Sequence, residues 1–100
     1  MKEELHYNDP RTVSVATSDT ILAGPNMKRK SIVVSNLDAT NPVFIKLRSA
    51  ATATSGFKLT AGQNFTFTQD AYGDAIKEEI HAIATGGAVN VEVIDIFKGG

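Results

Sequence analysis

Few side chains in this sequence could do chemistry, and they are scattered. There are two histidines, His6 and His81, and no cysteine. A histidine beside a carboxylate can serve as a general acid–base pair. Here His6 falls in a charged N-terminal stretch and His81 on a strand pattern, and no spacing fixes a carboxylate beside either. Both read as surface or sheet-face residues. Asp70, Asp74 and Glu78 recur every four residues, so on a helix they would share a face and offer oxygens to a hard cation. An EF-hand loop instead places its ligands two apart around a fixed glycine. A solvated acidic face is the simpler reading. Without thiols, disulfides, cysteine nucleophiles and cysteine-based zinc sites are excluded.

The basic residues are no more concentrated. Lys28-Arg29-Lys30 is the one basic cluster, and the formal net charge is −1. A lone triplet with no aromatic residues clustered around it is a weak signal for nucleic acid. Ordinary solvation, or contact with an acidic patch on a protein, fits it better. If a strand has already begun there, alternation sets Arg29 opposite its two neighbours. Gly24, Gly62, Gly86 and Gly87 punctuate strand ends rather than forming a phosphate-binding loop, and no serine sits in a G-x-S-x-G context. We therefore expect no enzyme activity and no cofactor.

The elements explain more of the sequence than the chemistry does. At 100 residues the chain is expected to form one domain. Residues 1–10 are polar and end at Pro10, which predicts a flexible N-terminal arm ahead of a domain over 11–98. That stretch has no apolar secretory core and no run approaches a transmembrane span, so a soluble protein made in the cytoplasm is expected. In "RTVSVAT" Val13 and Val15 alternate with polar neighbours, and "DTILAG" gives a second short strand closed by Gly24-Pro25-Asn26. "KRKSIVVSN" sends Ile32 and Val34 one way and Ser31, Val33 and Ser35 the other. Pro42 opens "VFIKLRS", with Val43, Ile45 and Leu47 on one face; with Lys46 and Arg48 it resembles the protection of an edge strand.

Beyond a bland link ending at Gly56, "FKL" and "NFTFT" predict two strands, with Phe65 and Phe67 on one face as major core residues. "DAYGDAIKEEIHAIATGG" is ambiguous. We expect a helical turn near Asp74–Glu79, with Asp74 as a possible cap, and then a strand ended by Gly86-Gly87. In "AVNVEVIDIF" the apolar phase runs through Val89, Val91 and Val93 and then slips to Ile94 and Ile96, which predicts a bulge or burial of both faces. "LAGPN" and "TAGQN" echo each other before two strands, from similar turns or from two similar Greek-key halves. The predicted class is all-β: a single small β-sandwich or jelly-roll-like barrel of seven or eight antiparallel strands, with at most one short helical turn.

Three segments go further: "RKSIVVSNLDATNPVFIKL", "SGFKLTAGQNFTF" and "IHAIATGGAVNVEV". Together they resemble a group of small tailed-phage virion structural proteins. The matching elements are Ile32 to Asn36, Val43 to Leu47, Gly56 to Gly62 and Ile80 to Val93, about two-thirds of the chain. The resemblance implies a jelly-roll-like structural protein of the virion, made in the host cytoplasm and acting as a capsid decoration or cement protein. Its partners would be a major capsid protein or another virion protein, with a homo-oligomer, dimer or trimer, and no nucleic acid or membrane. Contact residues would come from the arm (Glu3, Glu4, Tyr7, Arg11), the basic cluster (Lys28, Arg29, Lys30) and the "VFIKLR" strand (Lys46, Arg48). The alternative is a tail, baseplate or fibre component that contacts a host receptor or glycan, with Tyr7, Tyr72 and Phe44 as the aromatic residues able to stack on sugars. A cupin-like enzyme would need a histidine-rich metal site that one strand histidine does not supply.

Overall fold

The alternating segments become two antiparallel sheets in the computed structural model, which describes residues 5–52 and 56–99. The strands are β1 (Leu5–Tyr7), β2 (Arg11–Val15), β3 (Thr20–Ala23), β4 (Arg29–Asn36), β5 (Val43–Leu47), β6 (Phe57–Leu59), β7 (Asn64–Thr68), β8 (Ile80–Ala84) and β9 (Val89–Lys98). A short helix α1 (Gln69–Tyr72) and a 3-10 helix (Gly73–Lys77) join β7 to β8. The first sheet has the order β1-β9-β4-β7, with β2 also paired to β9; the second has the order β3-β8-β5-β6. Counting β1 and β2 as one interrupted edge, the two sheets read 1-8-3-6 and 2-7-4-5. That is the strand order of a jelly roll, in which two Greek keys wrap one core.

Periodicity decides what is inside. Ile32 and Val34 of β4, Val43 and Ile45 of β5, and Val89, Val91 and Val93 of β9 are all buried. Each such side chain contributes about 1.5–3 kcal/mol when taken out of water. Phe67 is fully buried as expected, whereas Phe65, also on the edge strand β7, keeps 37% of its surface. The ambiguous segment resolves as a helical turn followed by a strand. Thr68, not Asp74, caps the helix, its hydroxyl accepting from the Ala71 amide.

Two expectations need correction. Residues 5–7 are not a free arm: β1 pairs with the last residues of β9, Leu5 opposite Lys98 and Tyr7 opposite Ile96. The cause is length, since β9 runs ten residues and β2 covers only its first half, leaving backbone groups that β1 satisfies. β1 brings the strands among the described residues to nine, and Asn8-Asp9-Pro10 is a kink between two strands of one edge. Nor is β5 an edge strand, because it pairs with β6 on one side and β8 on the other. Pro42 precedes its first ladder residue and so costs no hydrogen bond there.

Candidate functional site: the polar closures and the outer faces

The basic triplet divides as strand alternation requires, but Arg29 goes inward. It is 1% exposed, which removes it from the expected contact residues. A bulge places it there: Arg29 lies opposite Phe97 and Ser31 opposite Ile96, so two residues of β4 span one step of β9. The guanidinium then ties the first sheet to the 3-10 helix and to the segments that follow β3 and precede β8. Its Nε donates to Asp95 Oδ1 at 3.0 Å, Nη1 to the carbonyls of Ile76 (2.7 Å) and Glu78 (3.1 Å), and Nη2 to that of Gly24 (2.8 Å). Arg11 completes the cluster, Nη1 donating to Asp95 Oδ2 at 3.1 Å and Nη2 to the Leu22 carbonyl at 3.3 Å. Burial pushes the Arg29 pKa down and Asp95 works against that; arginine starts so high that it stays a cation.

Asp95 also accounts for the slip read in β9. The inward phase does not slip: after Val89, Val91 and Val93 it continues to buried Asp95, so Ile94 and Ile96 face outward. At the opposite end of β4, Asn36 is 2% exposed. Its Nδ2 donates to the carbonyls of Asn41 and Leu59, both at 3.0 Å, and its Oδ1 accepts from the Asp38 amide at 2.9 Å. Sequence reasoning assigned Asn36 no role. An amide closing an inward-facing strand phase was the available signal.

The remaining predicted contact residues do not form one patch. Glu3 and Glu4 lie outside the described residues. Tyr7 is 73% exposed on β1, Lys28 is exposed, and Lys30 is half-buried beside the outer face of the first sheet. Lys46 sits on the outer face of the second sheet opposite His81. Arg48 follows β5 with φ of +80°, its side chain paired to Glu78 and its amide donating to the Glu79 carbonyl at 2.8 Å. Arg11 is spent on Asp95.

His81 is almost buried, and both ring nitrogens face carboxylates. Nδ1 lies 2.9 Å from Asp19 and Nε2 3.3 Å from Glu79. For Asp19, burial works against its charge, but the Ala51 amide and His81 outweigh it and hold the carboxyl below its ordinary range. The acidic trio does not share a face. Asp74 pairs with Lys77 and accepts from Gln69, Glu78 pairs with Arg48, and Asp70 lies on α1. No group of three histidine, cysteine or acidic residues among the described residues could hold a metal ion. Tyr72, a candidate for sugar stacking, is packed edge-on to Phe57 (centroids 5.4 Å apart) within a cluster that includes Phe65 and Phe67.

The two outer faces differ. On the first sheet, the cross-strand rows Tyr7–Ile96–Ser31–Thr68 and Ile94–Val33–Thr66 carry no charge. A depression of about 300 Å³ opens beside the first row, lined by Leu5, Lys30, Ser31, Thr68, Gln69 and Asp70. On the second sheet the outward positions mix Phe44 and Ile83 with Lys46, Lys58 and His81.

No protein-family model and no curated protein matches the sequence. Among solved structures the chain is similar to one described as "Bacillus endospore appendages form a novel family of disulfide-linked pili". The TM-score is 0.59 at 14% identity, over 100% of this chain and 93% of that one. At that identity the likeness is one of fold: an all-β sandwich.

Proposed function

We propose that this chain is a non-enzymatic structural subunit that works in many copies, as a decoration protein stabilising a phage head. The observation that carries the reading is how its polar chemistry is spent. Arg29, Arg11, Asp95 and Asn36 close the sandwich, and His81 is held between two carboxylates. What remains outside is sheet surface, including a face whose two central rows are uncharged, and strand edges, which suits contacts repeated many times rather than a reaction. The sequence resemblance to small tailed-phage virion proteins supplies the setting. Contacts of about 1,000 Å² are weak alone and hold when several engage together.

A second reading is a tail, baseplate or fibre component. The similar solved structure belongs to a pilus, which favours an elongated assembly. Its disulfide linkage has no counterpart here, since this sequence has no cysteine. Quantitative mass spectrometry of purified particles, as copies of this chain per major shell protein, separates the two. A simple ratio near one supports decoration. A handful of copies per particle supports the tail or fibre, and absence from particles rejects both.

A further inference from the structure

We propose that the outer face of the first sheet is a self-association surface, on which a second copy of the chain stacks face to face with its strands reversed. This names the first partner of the structural subunit proposed above, and so rests on that reading. The argument begins with Ile94 and Ile96. In an antiparallel sheet with one solvated face, outward positions are ordinarily polar. Here β9 turns two isoleucines outward, Ile94 opposite Val33 and Ile96 between Ser31 and Tyr7. Tyr7 and Leu5 add exposed apolar surface at the edge, 73% and 52% accessible. The rows through this centre contain valine, isoleucine, tyrosine, serine and threonine only.

The charges at its margins say what covers it. Glu92 flanks the centre on one side, in register with Ser35 and Thr12; Lys98 flanks it on the other, opposite Leu5. Neither has an ion-pair partner among the described residues. Residue 95 lies midway between them along β9, and midway between Ile94 and Ile96. A two-fold axis between the faces, crossing the strands at that level, sets Ile94 over Ile96 of the second copy. The same operation carries Glu92 over Lys98 of the second copy, twice per pair. A parallel stack would instead set like charge over like charge. The contact is isologous and closes at two.

Size sets the strength. Four strands about 4.8 Å apart and some seven residues at about 3.3 Å give a footprint on the order of 400–500 Å² per copy. That is well below the roughly 800 Å² per partner of a standard stable interface. The isolated pair is therefore weak, with Kd on the order of 100 μM.

The test uses the isolated chain in sedimentation velocity and in amide NMR from about 10 μM to 1 mM. We expect concentration-dependent association, with shifts concentrated at Val33, Ile94, Ile96 and Tyr7. Ile94→Lys, on an outward position, should leave the unfolding curve in place and reduce the association constant by about tenfold or more. Glu92→Lys and Lys98→Glu should each weaken association by a similar factor, because each change acts at two places. The double variant should return it to near the starting value. Rescue by the double reversal supports the antiparallel stack over any parallel or edge-to-edge arrangement. A chain that stays monomeric at 1 mM overturns the proposal, as does association that Ile94→Lys leaves unchanged. If the chain is monomeric but Ile94→Lys lowers its incorporation into particles, the second copy is rejected as occupant while the structural-subunit reading survives.

Discussion

Strand β4 is closed at its two ends by different means, and the comparison explains how a small sandwich holds its sheets in register. At the start of the strand a charged group does the work: Arg29 reaches Asp95 on the neighbouring strand and three carbonyls outside β4. At the other end a neutral amide does it, Asn36 bonding Leu59 of the second sheet and the loop carbonyl of Asn41. Both side chains are buried, and no buried side-chain polar atom among the described residues lacks a partner. The difference lies in what each leaves behind when removed. Loss of the amide strands neutral groups, whereas loss of the guanidinium also strands a buried carboxylate.

The largest effect should therefore come from Arg29→Met. It removes one cation from a cluster in which Asp95 is 4% exposed, leaving only the partly exposed Arg11 to pair with it. Breaking a buried pair from one side costs about 3–5 kcal/mol. Urea denaturation should show a loss of that size. Arg29→Met combined with Asp95→Leu should recover part of it, because the buried carboxylate goes too and the Arg11 it leaves unpaired is partly exposed to water. Asn36→Leu should cost less, about 1–3 kcal/mol, from unsatisfied neutral groups. Equal losses at the two ends, or no recovery in the double variant, would break the distinction between charged and neutral closure.

The two closures also mark where the sequence stopped being legible. Alternation gave the strands, and turn residues such as Gly24-Pro25-Asn26 gave the breaks between them, because both are local properties of the chain. Nothing local announces that Lys30 begins a bulge. Without it Arg29 would share the phase of Ser31 and Val33 and point outward, and as the middle of a basic triplet it reads as a contact residue like its neighbours. Asp95 was overlooked for the reverse reason. It keeps the inward phase of Val89, Val91 and Val93, but an acid there reads as a break in the pattern until its partner 66 residues away is known. The same error made outward-facing Ile94 and Ile96 read as a slip of the apolar phase. Strand pairing was likewise out of reach: that β1 docks on the end of β9 and that β5 is interior depend on which strands meet, a long-range fact.

The smallest effect should separate the two ends by pH. The Asn36 end continues into a turn held by Asp38, whose carboxylate accepts from the amides of Asn41 at 2.6 Å and Thr40 at 3.0 Å. Those two amides, Asn41's first, hold the Asp38 carboxyl below its ordinary 3.8. A carboxyl whose folded pKa is depressed stabilises the fold fully above the unfolded value, and that contribution is lost as pH falls through the folded one. Carbon-13 NMR of the Asp38 carboxyl should thus give a midpoint below 3.8. In Asp38→Asn the amide oxygen still accepts from the turn but carries no charge. The stability gap between wild type and variant should be present at about pH 6 and shrink as the solution is acidified below about pH 4. Protection of the Thr40 and Asn41 amides, taken relative to their intrinsic exchange rate at each pH, should fall over that range in the wild type, while protection of Arg29 and its ladder partners on β9 persists. If both ends loosen together, the closures form one cooperative unit, and the contrast between them holds only for mutational cost.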